Sequence, residues 1–292
     1  MSKDRLAVLK TYKLFIDGKF PRTESGRSLA VSDLKGNLLA HLCHASRKDL
    51  RNSVVAARKA QKSWAARTAF NRGQILYRMA EMLEGKRGEF AQALAATCSG
   101  GMRRANKEVD SAIDCLVNFA GWADKYSQVV GCNNPVAGPF YNFTSPEAVG
   151  VVGVIAANEN PLLSLVGMLA PVIVSGNTAV ALGSDSHPLT TSIFAEVCAT
   201  SDVPQGVINL LTSKRKELLA HFANHRDIDA IAAAECTANH RKTLELGAAE
   251  NLKRVRISSL SGDAWYDCKQ LHSPYRIERF VEMKTVWHPI GR

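Results

Sequence analysis

The chain has 292 residues, 46% of them hydrophobic, and a formal net charge of +10. That is enough apolar material for one large core or two smaller ones, and no apolar run is long enough to span a bilayer. Seven scattered cysteines without a CxxC pair fit reduced thiols in a cytoplasmic protein rather than a disulfide framework or a zinc site, and basic residues spread along helices without interleaved aromatics argue against a nucleic-acid partner.

Residues 1–13 lack an apolar h-region and a small-residue cleavage site, so no secretory leader is read. Lys13 to Phe20 alternates and turns at Asp17-Gly18, a hairpin signal. Leu29 to Cys43 reads as two strands broken at Lys35-Gly36-Asn37. Three helices are expected next: Arg47 to Thr68, Asn71 to Cys98 up to the stop at Gly100-Gly101, and Asn106 to Val130. Their apolar stripes are core surfaces, and Glu108 and Asp114 are read as solvated. From Asn133 to Val154, prolines and glycines punctuate Phe140-Tyr141-Asn142-Phe143 and Ala148-Val149-Gly150-Val151, which read as an exposed two-stranded arm leading into the first sheet strand.

A βαβ unit follows. Val149 to Ala157 has the length and β-branched content of a buried strand, Pro161 to Val174 is a helix-length apolar segment, and Thr178 to Leu182 is a second buried strand. The alternation continues with helices at Leu189 to Cys198, Lys216 to Asn224 and His240 to Ala249. Strands fall at Gly206 to Leu211, Ala230 to Ala234 and Leu252 to Ser258. The expected fold class is α/β: a doubly wound parallel sheet with N-terminal helices and a protruding β arm. Such sheets bind ligands outside the carboxyl ends of their strands, so the loop Ala156 to Pro161 is the first place to look for chemistry. His221, His225 and His240 are not at metal-ligand spacing, and no metal site is expected. Lys214-Arg215-Lys216 could hold an anion but reads first as a solvated helix start. Cys236 lies near a helix start, which would depress a thiol pKa, yet no motif supplies a base for it or for Cys268. Both read as plain thiols.

The stretches LFIDGKF, EAVGVVGVIAANENPLL, LAPVIVSGNTAVAL, HPLT, VPQGVINLL, DIDAIA and LKRV resemble the aldehyde dehydrogenase superfamily, and RFVEMKTV is similar to its closing strand. In that family a catalytic domain of roughly 200 residues, the size of an ordinary domain, stands between the last nucleotide-domain strand and the closing strand. Only Ser259 to Tyr275 fills the space here. The resemblance is therefore closest to the shortened second half of the two-part, family-sixteen members. It implies a nucleotide-binding-type domain over 1–132 and 149–258, a β oligomerisation arm over 133–148 and 276–292, and a short linker over 259–275.

Carried over residue by residue, the resemblance places the family's oxyanion-holding amide at Glu159 and its general-base glutamate at Ser258. Neither replacement serves: a carboxylate repels a developing oxyanion, and a serine hydroxyl takes no proton near neutral pH without its own base. Glu159 as a new acid or base in a vestigial cleft is the minor reading of that residue. The ribose-holding lysine aligns with Leu182 and its acidic partner with Asp185. The glycine-bearing turn is Ser213 to Arg215, and the phosphate-site Gly-Ser pair is Glu235-Cys236. No catalytic residue and no cofactor is expected.

The implied function is a pseudoenzyme subunit that assembles with, or regulates, a full-length aldehyde dehydrogenase, with self-association through a sheet edge when alone. The arm is expected to be a three-stranded sheet of Pro139 to Phe143, Ala148 to Val151 and Val281 to Trp287, with the interface residues Phe140, Phe143, Val149, Val151, Val286 and Trp287. The retained fold keeps open an alternative, an NAD(P)-binding oxidoreductase or nucleotide sensor. A third reading, polyanion binding from the +10 charge, predicts salt-sensitive retention on DNA or heparin.

Overall fold

In the computed structural model, residues 8–291 are described. The reading of residues 1–13 as leaderless, and the two ends of the expected domain ranges at residues 1 and 292, fall partly or wholly outside them. The chain opens with β1 (Lys10–Tyr12), β2 (Ser28–Ser32) and β3 (Leu38–Cys43), a small sheet in the order β1-β3-β2. Between β1 and β2, Asp17 and Gly18 at φ 54° and 70° close the expected turn with a bridge from Ile16 to Lys19.

The helical region divides differently from expectation. After α1 (Arg47–Ala65), the segment expected as one helix over 71–98 is two, α2 (Ala69–Gly85) and α3 (Arg87–Thr97). They break at Lys86, whose ammonium turns to Glu89 and Glu196 at 2.7 Å each. The next helix, α4 (Gly101–Trp122), starts five residues earlier than Asn106. Its N-cap Gly100 has φ 107°, and a β-carbon there would sit 2.6 Å from Arg104. The Gly-Gly pair thus opens a helix as well as ending one. A separate short helix, α5 (Tyr126–Val130), completes the stretch.

The arm is β4 (Cys132–Asn134) and β5 (Phe140–Ala148), and the main sheet then begins with β6 (Val151–Ile155). The βα alternation follows: α6 (Pro161–Val174), β7 (Thr178–Leu182), α7 (Leu189–Ala199), β8 (Ile208–Leu211), α8 (Arg215–Asn224), β9 (Ala230–Ala233), α9 (Ala238–Ala249) and β10 (Arg254–Ile257). The five strands are parallel in the order β10-β9-β6-β7-β8. Alternate side chains enter two cores. Val151 and Ile155 pack with Leu50, Val54 and Phe222 on one face, and Val152 and Val154 with Leu162, Val166 and Phe194 on the other. Coverage on both faces is what requires the strands to lack a polar side.

Every residue of α6 is buried, so this helix is apolar all round. Its backbone is completed by groups distant in sequence. Trp64 Nε1 donates to Ile173 O at 3.0 Å and Arg72 Nε to Val174 O at 2.9 Å, satisfying carbonyls that a helix end leaves open. Pro171 has no N–H to offer the carbonyl four residues back, and Arg276 Nη2 donates to that Gly167 carbonyl at 3.0 Å.

Residues 259–275 carry a 3₁₀ turn (Gly262–Tyr266) and α10 (Cys268–Leu271). Leu260, Trp265 and Leu271 are buried, the latter two against Gly167 of α6. After α11 (Tyr275–Glu278), β11 (Val281–Pro289) runs antiparallel to β5 and finishes a three-stranded sheet in the order β11-β5-β4. The arm expectation is corrected at two residues. Val151 is a fully buried residue of β6, and Val149 leans on the core with its N–H on Phe280 O. The strand expected over Ala148 to Val151 is the end of β5 and the start of β6, and the arm's third strand is β4. Among the described residues, no helix is long and apolar enough to cross a membrane.

Candidate functional site

The strand order reverses at β6, which has β7 on one side and β9 on the other, so the ligand crevice of this fold opens between the carboxyl ends of β6 and β9. Two side chains bridge it. Arg215, the first residue of α8, is buried and aims its guanidinium inward. It donates to Ala156 O at 2.6 Å, to Glu235 O at 2.7 Å and to Ala234 O at 3.2 Å. At the mouth, the Glu235 carboxylate accepts the N–H groups of Asn158, at 2.5 Å, and Glu159, at 3.3 Å. Glu235 holds φ 51°, a left-handed conformation that a non-glycine residue adopts at a cost. The Arg215 contacts correct the reading of Lys214 to Lys216 as a solvated helix start. Replacing Arg215 with Met is expected to lower stability by about 2 kcal/mol, because buried carbonyls lose a charged donor. Denaturant titration of the variant checks this.

The expected site residues are distributed as follows. Glu159 is exposed, and its carboxylate accepts the Gly262 N–H at 2.6 Å, tying the loop to the 259–275 segment. Leu182 is fully buried in β7. Asp185 accepts the N–H of Arg215 at 3.2 Å and so caps α8. The Ser213 hydroxyl is buried on Ala45 O. Ser258 is half-buried and accepts the Leu260 N–H at 3.2 Å. Cys236 is half-buried, and burial raises its thiol pKa, the opposite of the depression its helix start suggested. Cys268 is exposed.

Asn158 and Asn160 both do structural work. Asn158 Oδ1 accepts from Ser184 Oγ, Asp185 N and Ser186 N at 2.9, 3.1 and 3.2 Å. Asn160, left-handed at φ 49°, accepts from Tyr266 Oη at 2.7 Å and donates to Gly262 O at 2.9 Å.

Beside this loop is a cavity of about 300 Å³, lined among others by Cys98, Arg104, Glu108, Asn160 and His187. Glu108 is buried, which corrects its reading as solvated, whereas Asp114 is exposed as expected. Glu108 Oε1 accepts the Leu162 and Leu163 N–H groups at 2.8 and 3.2 Å, capping α6 from a neighbouring helix. Burial pushes its pKa up to about 7 against those two hydrogen bonds. The Cys98 thiol is pushed up to about 11, again by burial, so it is protonated at neutral pH and is a poor nucleophile. Among the described residues no group of acids, histidines and cysteines is disposed to hold a metal ion.

Sequence reasoning missed Arg215 and Glu108. An arginine beside two lysines at a helix start gives no sign that it turns inward. The Glu108 signal was readable: it stands on the stripe of Ala105, Val109 and Ala112, all buried.

The aldehyde dehydrogenase family model matches residues 22–264. An aldehyde dehydrogenase of Aspergillus niger is 31% identical over 250 residues, covering 84% of this chain and 49% of that protein. Human aldehyde dehydrogenase 1A1 is 29% identical over 252 residues, again covering 84% and 49%. Among solved structures, the NAD+ complex of the aldehyde dehydrogenase from Bacillus cereus superposes with a TM-score of 0.80 at 27% identity, covering 85% of this chain and 50% of that one. PnpE from Pseudomonas sp. WBC-3 gives 0.81 at 29%, covering 87% and 52%. The chain thus spans about half the length of the relatives it matches, the half that carries the doubly wound sheet. With the family match spanning most of its length, and the helices and parallel sheet of those structures, the chain belongs to the aldehyde dehydrogenase family.

Proposed function

We propose that this chain is a catalytically inactive aldehyde dehydrogenase-family subunit whose role is assembly with, or regulation of, a complete aldehyde dehydrogenase. The bridged crevice is the observation that carries the reading. A pyrophosphate at the switch point needs open backbone amides and close approach. Here the loop amides are taken by Glu235, a negative charge, and the floor between the strands is held by Arg215. These residues do not fit a dinucleotide, so no hydride-transfer step is derived. The carboxylate of Glu159 and the hydroxyl of Ser258 stand where the family resemblance would put an oxyanion donor and a base, and neither has a partner that converts it to that use.

The arm supplies the surface for assembly. One face presents Phe140 and Trp287, edge to face at 5.7 Å, and Trp287 is 58% exposed. The other presents Tyr141, Phe143 and Val286. Aromatic side chains on a ribbon of this kind are the expected anchors of a protein interface, and β11 offers nine residues of edge backbone for strand addition.

Two measurements test the reading. Calorimetric titration with NAD and NADP is expected to be silent; micromolar binding would favour a nucleotide sensor instead. Co-expression with a complete aldehyde dehydrogenase is expected to give a hetero-oligomer. Trp287→Asp combined with Phe140→Asp, both on exposed positions of a preserved sheet, is expected to cut recovery of the complex at least ten-fold. Absence of any complex, or a complex indifferent to the double substitution, overturns the assembly role.

A further inference from the structure

A second cluster of cationic groups lies away from the crevice, at the far edge strand of the sheet. Arg256 lies in β10, and Ser258 stands one residue past the end of that strand with its N–H on Ala233 O. Arg276 and Arg279 are three residues apart on the turn of α11 and its cap, so they share a face. All four, with Met168, line the same small cavity. Its volume of about 20 Å³ admits one water-sized group.

The charge here is unbalanced. Arg276 is only 8% exposed, and burial pushes its pKa down to about 10, with a second arginine, Arg279, acting in the same direction. One arm of its guanidinium is committed to Gly167 O, but its Nε, shut away from solvent, has no hydrogen-bond partner. Buried polar groups are ordinarily paired, and a buried unpaired donor on a cation asks for an acceptor. Among the described residues none of these three arginines is in an ion pair, whereas their neighbour Arg254 meets Glu282 at 2.6 Å. Glu282 is thereby engaged elsewhere.

We propose that Arg256, Arg276 and Arg279, with the Ser258 hydroxyl, form an oxyanion-binding site that takes a phosphate group. Guanidinium forks match tetrahedral and carboxylate oxyanions alike. Three cations at one point favour the dianion over a singly charged carboxylate. One phosphate oxygen enters the cavity and accepts from Arg276 Nε. The other oxygens stay at the mouth, where Arg256 and Arg279 are exposed. The site does not depend on the proposed assembly role.

Another basic groove, lined by Arg47, Lys48, Arg51, His221 and His225, serves as the control because its arginines are all exposed and none is a buried group lacking an acceptor. The experiment is calorimetric titration of the full chain with inorganic phosphate at low ionic strength, with acetate as comparator. Saturable phosphate binding is expected, at least ten-fold tighter than acetate. Arg256→Gln and Arg279→Gln, both exposed positions, are each expected to weaken it at least ten-fold, and Arg47→Gln with Arg51→Gln to leave it unchanged. Phosphate that does not saturate, acetate that binds as well, or binding lost through Arg47 and Arg51 rather than Arg256 and Arg279, overturns the assignment.

Discussion

Trp265→Ala is expected to destabilise the chain by about 4 kcal/mol, the range for removing a large aromatic side chain from a core. Trp265 is fully buried, with its ring over Gly167 of α6, and its Nε1 has no hydrogen-bond partner. The loss is therefore one of packing alone. Trp265→Phe keeps most of the ring volume and removes an unpaired buried N–H, so it should cost less than half as much. Chemical denaturation of both variants checks the ordering. Equal, small effects would show that residues 259–275 merely lie on the surface of α6. A large effect for Ala alone makes that segment an integral wall of the fold.

The second large effect is a pH dependence. Glu108 is held at a pKa of about 7, against an ordinary 4.5, by burial at the N-terminus of α6. A carboxyl raised on folding takes up a proton in the folded state, so its favourable contribution is full below pH about 4.5. That contribution is lost as pH rises through about 7 and stays lost above it. The change amounts to about 3 kcal/mol between the two limits. Glu108→Gln retains an oxygen for the Leu162 and Leu163 N–H groups and has no proton to lose. Denaturation midpoints measured from pH 5 to 8 should fall with pH for the parent chain and run nearly level for the variant. Parallel slopes would falsify the assignment of this titration to Glu108.

The sheet was legible because its strands carry the signature of burial on both faces. Val151 to Ile155 and Thr178 to Leu182 contain no polar residue beyond a terminal threonine, and helix α6 between them is bounded as its proline start and Gly-Asn turn indicate. Helix ends were less legible. The break at Lys86 depends on ion pairs with Glu196, distant in sequence, and the early start of α4 depends on glycine backbone angles that a stop signal does not distinguish from a start signal. In the site, the substitutions Glu159 and Glu235 were visible as residue types. Their geometry was not, because it depends on an arginine from α8 crossing to the loops after β6 and β9. The arm shows a different limit. Val149 and Val151 have the composition of an exposed ribbon and of a core strand alike, and only the register with β7 and β9 places Val151 inside.

The contact between Arg276 and the carbonyl of Gly167 bears on how the chain is made. That carbonyl is freed by Pro171 and waits for a donor more than a hundred positions downstream. Asn177 likewise donates to Phe280 O, at 2.8 Å. During synthesis, the five sheet strands can all emerge and pair while the central helix still lacks these partners. Its final packing comes only after these downstream partners are made and a long loop has been closed. Until Arg276 and Phe280 have themselves cleared the ribosome, the emerging chain carries a sheet with an unfinished helix at its centre, a state open to proteases and chaperones.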